Sequence, residues 1–435
     1  MILGTPRRAA LSATRWLISR PKAAGIFWHA LGPGLITGAA DDDPSGIATY
    51  SVAGAQLGTT LLWTAILTWP LMAAVQMMCA RIGMITGRGL MAGLRRKFPR
   101  RVLIPAAIAL LVANTLNIGA DLAGMADAAD LLTGVSSHAW VALFGVGIAW
   151  ATIRLPYGII AKVLKWLALI LFVYVIAAID LGPNWSAVAR AAFVPSWPHG
   201  SGGWATIVAI LGTTISPYLF FWQASQEVEE EKAKGRSTLV SRRGATASEI
   251  RGRKTDVAFG TLFSNVVMFF IILTTALTLH AHGVTNLTTS REVAEALRPL
   301  AGRFATLLYT LGLVGTGLLA IPTLSGSAAY AFAETFGWRQ GIDAKFGRAR
   351  AFYSIVAIST LVGMSMDFVH INVVKALYWT AVVNGVLAPF LLVGILLVAS
   401  DQRIMHGQPS SGLGRSVVGL TALAMFGAAV AMFAL

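Results

Sequence analysis

The stretch whose reading decides the fold is Gly32-Pro33-Gly34-Leu35-Ile36-Thr37-Gly38-Ala39-Ala40-Asp41-Asp42-Asp43-Pro44-Ser45-Gly46-Ile47-Ala48-Thr49-Tyr50. It lies within an apolar segment, 28–57, and sets three consecutive carboxylates inside it. A charged side chain at the centre of a membrane helix costs about 2.5–3.5 kcal/mol on insertion scales. Pro44 removes a backbone donor, and Ser45-Gly46 tolerates irregular backbone. The helix should therefore break here, leaving bare carbonyls, amides and acid groups within the membrane. An external loop at 41–46 is the bland alternative. It fails because Leu31–Ala40 is too short to span, and because it would spoil the loop charges described next.

Of the 435 residues, 56% are hydrophobic and 12% charged, and the mean hydropathy is +0.69. Soluble domains carry roughly 25% charged residues, so the bilayer has to be the solvent for most of this chain. Eleven segments are long and apolar enough to span: 28–57, 58–83, 103–132, 138–154, 159–180, 203–228, 256–280, 304–332, 351–368, 371–399 and 415–434. Every second loop is basic. Arg95-Arg96-Lys97 and Arg100-Arg101 follow the second segment, and Arg154 and Lys162 the fourth. Lys232 to Lys254 follows the sixth, Arg339 to Arg350 the eighth, and Arg403 and Arg415 the tenth. The opposite loops are poorer in Lys and Arg, apart from 283–303, which also carries Glu292 and Glu295. This alternation places the N-terminus inside and the C-terminus outside. The expectation is a multi-pass protein of the bacterial inner membrane, with a basic cytoplasmic tail at 1–25 and one transmembrane domain at 26–435. The Gly/Ser/Arg-rich loop 233–254 reads as mobile.

The net charge of +15 belongs to those loops and not to a nucleic-acid face. The single Cys79 excludes an internal disulfide. No Gly-x-x-x-x-Gly-Lys motif is present, so ATP is not an expected partner, and no His-Glu-x-x-His pair suggests an enzyme. The expected partners are the lipid bilayer and a small inorganic ion, with the chain acting as a monomer and without a bound cofactor.

The sixth segment repeats the theme of the first. Pro217 interrupts Gly212-Thr213-Thr214-Ile215-Ser216-Pro217-Tyr218, and Gln223, Gln226 and Glu227 follow at helical spacing toward an inner vestibule. Two interrupted helices in corresponding positions are the trace of an inverted-repeat secondary transporter with its site at the midplane. Thr213, Thr214 and Ser216 can satisfy freed backbone or hold an ion.

Gly-Pro-Gly before the break, Asp43-Pro44 within it, Pro217, and Leu387-Ala388-Pro389-Phe390 in the tenth segment resemble the Nramp family of divalent metal transporters. The resemblance covers most of the chain. It implies an all-α, LeuT-like 5+5 inverted repeat with unwound helices 1 and 6, repeats at about 26–182 and 202–399, and an extra helix at 415–434. It also implies transport of manganese or iron(II) with protons. Carried over by position, Asp43 and Pro44 match the family's Asp-Pro-Gly-Asn. Ser45 stands for the Gly and Gly46 for the metal-binding Asn. Pro217 matches Met-Pro-His, Ser216 stands for the metal-binding Met, and Tyr218 for the His linked to protons. Asp121-Leu122-Ala123 resembles Asp-Leu-Ala-Glu, with Gly124 in place of the Glu. Arg348 and Arg350 only approximate the arginine pair of the family's ninth helix.

A thioether favours softer transition metals, and replacing it by a hydroxyl removes that preference. A site built on Asp43 as the metal ligand suits a hard ion such as Mg²⁺ or Mn²⁺. Ser45, Gly46, Ala39, Thr213, Ser216 and Asn384 are its further candidates, and Na⁺ or H⁺ its coupling ions. Asp121, Asp42, Gln223 and Glu227 are the candidate coupling or proton path. A second reading uses Ser45, Thr214, Ser216 and Tyr218 as donors beside positive helix ends to bind a small anion such as bicarbonate, coupled to Na⁺ or H⁺. Ser325-Gly326-Ser327 reads as close helix packing, and His29 as interfacial.

Overall fold

The computed structural model describes residues 33–155, 169–198, 200–369 and 372–434. The basic tail, His29, Lys162 and the start of the fifth predicted segment lie outside the described residues. The described residues form helices and no strands. The first predicted segment is two half-helices, α1 (Pro33–Asp41) and α2 (Pro44–Leu57). Then come α3 (Leu62–Thr86), α4 (Arg100–Thr133), α5 (Ser137–Arg154) and α6 (Phe172–Asp180). The sixth segment is again two half-helices, α7 (Gly200–Thr214) and α8 (Pro217–Ala233). The chain closes with α9 (Ala247–Thr278), α10 (Ala305–Phe336), α11 (Arg350–Ser365), α12 (Val373–Ser400) and α13 (Gly412–Ala434). Among the described residues, eight stretches are long and apolar enough to cross a membrane, counting α7 and α8 as one.

Six prolines fall within the apolar segments that become α2–α4, α8, α10 and α12, yet only two interrupt a helix. Pro70, Pro105, Pro322 and Pro389 sit inside continuous helices. Pro44 and Pro217 instead occupy the first turn of a new half-helix, where the missing N–H costs nothing and φ is already set. What separates the two sets is the residue before. Asp43 (φ −68°, ψ 170°) and Ser216 (φ −75°, ψ 135°) are extended, the conformation a following proline favours. Both bring oxygen to the freed backbone. Asp43 Oδ1 accepts from Gly46 N–H at 2.7 Å. Ser216 Oγ lies 2.6 Å from the carbonyls of Gly212 and Thr213, at the end of α7.

The half-helices pack on long partners, α1 and α2 on α9, α7 on α12, and α8 on α3 and α10. Glycines bring these pairs to backbone contact. A Cβ on Gly38 would meet the Gly260 backbone, and one on Gly212 the backbone of Ala381 and Gly385. Small residues at helix crossings are the usual means of close approach within a bilayer. Side chains such as Leu143, Trp150, Leu361 and Phe390 remain exposed on the outside of the bundle, the surface that lipid covers.

Two boundaries differ from the sequence reading. The seventh helix starts at Ala247 and not near 256, because Thr246 and Glu249 form a capping box. The loop expected to be mobile is tied down. Arg236 pairs with Glu231 and Glu249, and Gly244 N–H donates to Ile85 O at 2.9 Å.

The glycine contact is testable. Gly212→Ala should destabilise the protein by about 1–3 kcal/mol through overpacking, read as a lower melting temperature in detergent. Gly147→Ala, where a Cβ meets nothing within 4 Å, should leave the melting temperature unchanged or slightly raised.

Candidate ion site at the broken helices

The three carboxylates of the break turn to different sides. Asp41 and Asp42 face α9, where the Ser264 hydroxyl lies 2.6 Å from Asp41 Oδ2 and 3.1 Å from Asp42 Oδ1. Asp43 faces α4. Its Oδ2 accepts from Asn117 Nδ2 at 2.9 Å while its Oδ1 caps α2. All three are buried, as is Asp121, one turn beyond Asn117. Asp121 lies close enough to Asp43 for their charges to sense each other, and the Ser45 amide is the one donor near its carboxylate among the described residues. Asp41 Oδ1 and Asp42 Oδ2 are unpartnered. Buried carboxylate oxygens without donors call for a cation or a proton.

The second break meets the first edge-on. Tyr218 donates its hydroxyl proton to Ala40 O at 2.9 Å, tying α8 to the end of α1. Tyr50 and Thr214 hydroxyls lie 3.1 Å apart, linking α2 to α7. Gly46 is the informative position. A Cβ placed there would lie 3.1 Å from Thr213 Oγ1, 3.3 Å from Asp41 O and 3.4 Å from Asp43 Oδ1. The absent side chain thus leaves a point faced by three oxygens of three kinds: hydroxyl, carbonyl and carboxylate. No sulfur or nitrogen ligand is among them. Among the described residues no group of three or more His, Cys, Asp and Glu converges as a ready cage. The three atoms nearest this point are mixed oxygens and not a cluster of acids.

Several predicted residues meet in this place: Asp43, Gly46 and Thr213 directly, and Tyr218 and Thr214 through the bonds between half-helices. Ser216 turns its hydroxyl back onto α7. Ser45 and Ala39 are buried in the same turns. Asn384 is buried on α12 with Oδ1 unpartnered, and no hydrogen bond joins it to the break. Ser325-Gly326-Ser327 packs as expected: Asn114 donates to Ser327 Oγ at 2.9 Å, and Gly326 lies under Trp222.

Gln223 and Glu227 do not line a wet vestibule. Gln223 donates to Glu227 Oε1 at 2.6 Å, and Arg253 Nε reaches the Glu227 carboxylate at 2.8 Å. Arg253 also pairs with Glu230, and with Asp256 at 2.5 Å. Asp256 Oδ2 accepts from Gly34 N–H at 2.8 Å. This buried network binds the start of α1 to α8 and α9. Arg253 reads in the sequence as one more loop cation. Ser264 gave no signal beyond being a small polar residue in an apolar helix. At the far ends of α2 and α7, a cavity of about 1080 Å³ is lined by Gln56, Ser201, Asn286, Lys375 and Tyr378. It reaches Val52 on α2, about two turns from the break.

Paired half-helices with facing oxygens at their breaks, in a bundle of this topology, define a transporter of the LeuT-like class. The fold is shared with the Eremococcus coleocola manganese transporter, at a TM-score of 0.71 and 18% identity, over 92% of this chain and 85% of that one. Mhp1, a nucleobase-cation-symport-1 family transporter, shares it more distantly, at a TM-score of 0.55 and 16% identity, over 93% and 90% of the two chains. The sequence matches the Nramp profile, described as natural resistance-associated macrophage protein-like, over residues 34–435. The divalent metal cation transporter MntH of Yersinia pestis is 28% identical over 317 residues, 71% of this chain and 74% of its own length. That of Pectobacterium carotovorum is 29% identical over 309 residues, 68% and 70% of the two chains. The chain belongs to the Nramp family of membrane transporters.

The dual role of Asp43 separates charge from structure. Asp43→Ala should lose about 1 kcal/mol of capping and strand Asn117, lowering the melting temperature. Asp43→Asn still caps and can bond a flipped Asn117, so its melting temperature should stay near wild type.

Proposed function

We propose that the chain is a secondary active transporter of a hard divalent cation, Mg²⁺ or Mn²⁺, working by alternating access with H⁺ or Na⁺ as coupling ion. The observation that carries this reading is that the three atoms nearest a Cβ at Gly46 are all oxygens: Thr213 Oγ1, Asp41 O and Asp43 Oδ1. Hard cations take oxygen ligands, and Mg²⁺ gives up its waters reluctantly. Gly46 offers no side-chain ligand where the family places an Asn, so an ion bound here would keep a water in its stead. A soft metal gains nothing here, because Ser216 supplies no thioether. The family relatives named as manganese and divalent metal transporters support a divalent cargo. Asp43 is the proposed ligand common to all states. Asp121, beside it, and Asp42, toward Ser264, are the proposed stations of the coupling ion.

One observation favours a small anion such as bicarbonate as cargo. Ser216 makes no side-chain capping bond, so the first amides of α8 carry their partial positive charge uncapped. The coupling cation would then sit on Asp41 and Asp42. The four buried acids weigh against this reading, since among the described residues no basic side chain is bonded to any of them.

Proteoliposome flux with Mg²⁺, Mn²⁺ and bicarbonate, each with and without Na⁺ and proton gradients, decides between the two. Mg²⁺ or Mn²⁺ uptake that falls about tenfold or more in Asp43→Asn, a loss of at least 1.4 kcal/mol of binding or barrier, is the expected result. Bicarbonate uptake without divalent flux would overturn it.

A further inference from the structure

At one face of the bundle four segments meet just beyond the ends of the membrane helices. They are the turn after α3, the turn before α4, the loop before α9 and the loop after α12. Their hydrogen bonds fix them together. Gly244 N–H donates to Ile85 O at 2.9 Å, and Arg242 Nε to Gly87 O at 3.4 Å. Gln408 bonds both the N–H and the carbonyl of Ala245 at 3.2 Å. Arg81 donates to the carbonyls of Gln408 and Pro409 at 3.0 and 3.1 Å.

The basic residues here fall into two sets. Arg81 and Arg242 are held as above. Arg95 donates to Glu334 O at 2.6 Å, and Lys97 pairs with Asp401 at 2.6 Å. That pairing, with two backbone amides, holds the Asp401 carboxyl down to about 2. Arg88, Arg96 and Arg243 form the other set. They are exposed, and their guanidinium groups make no hydrogen bond or ion pair among the described residues. The bond from Arg242 to Gly87 sets Arg243 beside Arg88, and the Lys97–Asp401 pair sets Arg96 beside the loop that carries His406. Partial burial, then the charges of Arg96, Arg243 and Arg95, hold Arg88 below the usual arginine range, against the nearby Glu334 carboxylate. His406 is lowered by burial and by the same Arg243 and Arg96. Its backbone is left-handed, φ 46°, which among the described residues no other non-glycine adopts. The Asp401 side chain, accepting from the amides of Arg403 and Ile404, shapes the turn that presents it.

Three unpaired guanidinium groups from three rigidly joined segments repel one another. A tetrahedral oxyanion removes that repulsion and accepts paired N–H bonds from the arginine forks. The patch lies where α3 and α12 end and α4 begins, at Thr86, Ser400 and Arg100, and basic clusters just beyond membrane helices attract anionic headgroups. We propose that Arg88, Arg96 and Arg243, with His406, form a binding site for a phosphate group, presented by an anionic phospholipid headgroup or by phosphate from solution. The site is separate from the ion path, and does not depend on which ion the protein carries.

The test uses the purified full-length protein in detergent, titrated with phosphatidylglycerol, phosphatidylcholine and inorganic phosphate and read by native mass spectrometry. Two triple variants accompany it. R88Q/R96Q/R243Q removes the site, and R251Q/R348Q/R350Q removes the same charge from exposed positions elsewhere. Phosphatidylglycerol should be held about tenfold or more tightly than phosphatidylcholine, and the site variant alone should lose that difference. Retention of inorganic phosphate, abolished in the site variant, would support the site and assign it to a soluble source. Equal loss in both variants would reduce the effect to general surface charge and overturn the proposal. So would a wild-type protein that prefers neither ligand.

Discussion

A carboxylate cannot remain unpaired among lipid tails, and this chain places three in succession inside an apolar segment. The rest of the architecture follows from accommodating them. The helix stops at Asp41 and restarts at Pro44, so the side chains divide between two neighbouring helices. One pair reaches Ser264 on α9, and Asp43 reaches Asn117 on α4. The break is held because α9 packs along both half-helices, close enough at Gly38 and Gly260 for backbone contact. A second break in α7–α8 supplies hydroxyls to the same region, through Tyr218 to Ala40 and Tyr50 to Thr214.

Closure on one side of the site rests on different chemistry. Arg253 gathers Glu227, Glu230 and Asp256, and Asp256 in turn holds the first turn of α1. Breaking a buried pair of this kind by removing one partner leaves an uncompensated charge. The network can open only if the groups move apart together into water. This suits a half-helix that alternates between a seated and a released position. On the other side, a largely apolar groove between α2, α7 and α12 runs from Val52 to Phe390 and Phe433 on the outer surface.

The break was legible in the sequence because charge and proline are strong, local signals. The site partners were less so. Asp43, Gly46 and Thr213 could be named from the broken segments, whereas Ser264 could not, since a serine in an apolar helix is usually bonded to its own backbone. Arg253 was miscounted as a loop cation because apolar runs mark where hydrophobicity begins, not where a helix begins. The Thr246–Glu249 capping box carried the correct start. Glu227 was placed at helical spacing toward water, yet the residue that neutralises it lies 26 positions on, a pairing that no local pattern encodes.

On the proposed reading, the site lacks a preference for soft metal ions because Ser216 stands where the family has a thioether and Gly46 brings no side chain. Calorimetric titration of Cd²⁺ and Mg²⁺ into the wild-type protein and into Ser216→Met tests it most directly, since the one cysteine, Cys79, is buried and should not compete. The account predicts that wild type binds Cd²⁺ no more tightly than Mg²⁺, and that Ser216→Met shifts the ratio toward Cd²⁺ by about tenfold. Wild-type protein that already binds Cd²⁺ in strong preference to Mg²⁺ would contradict it.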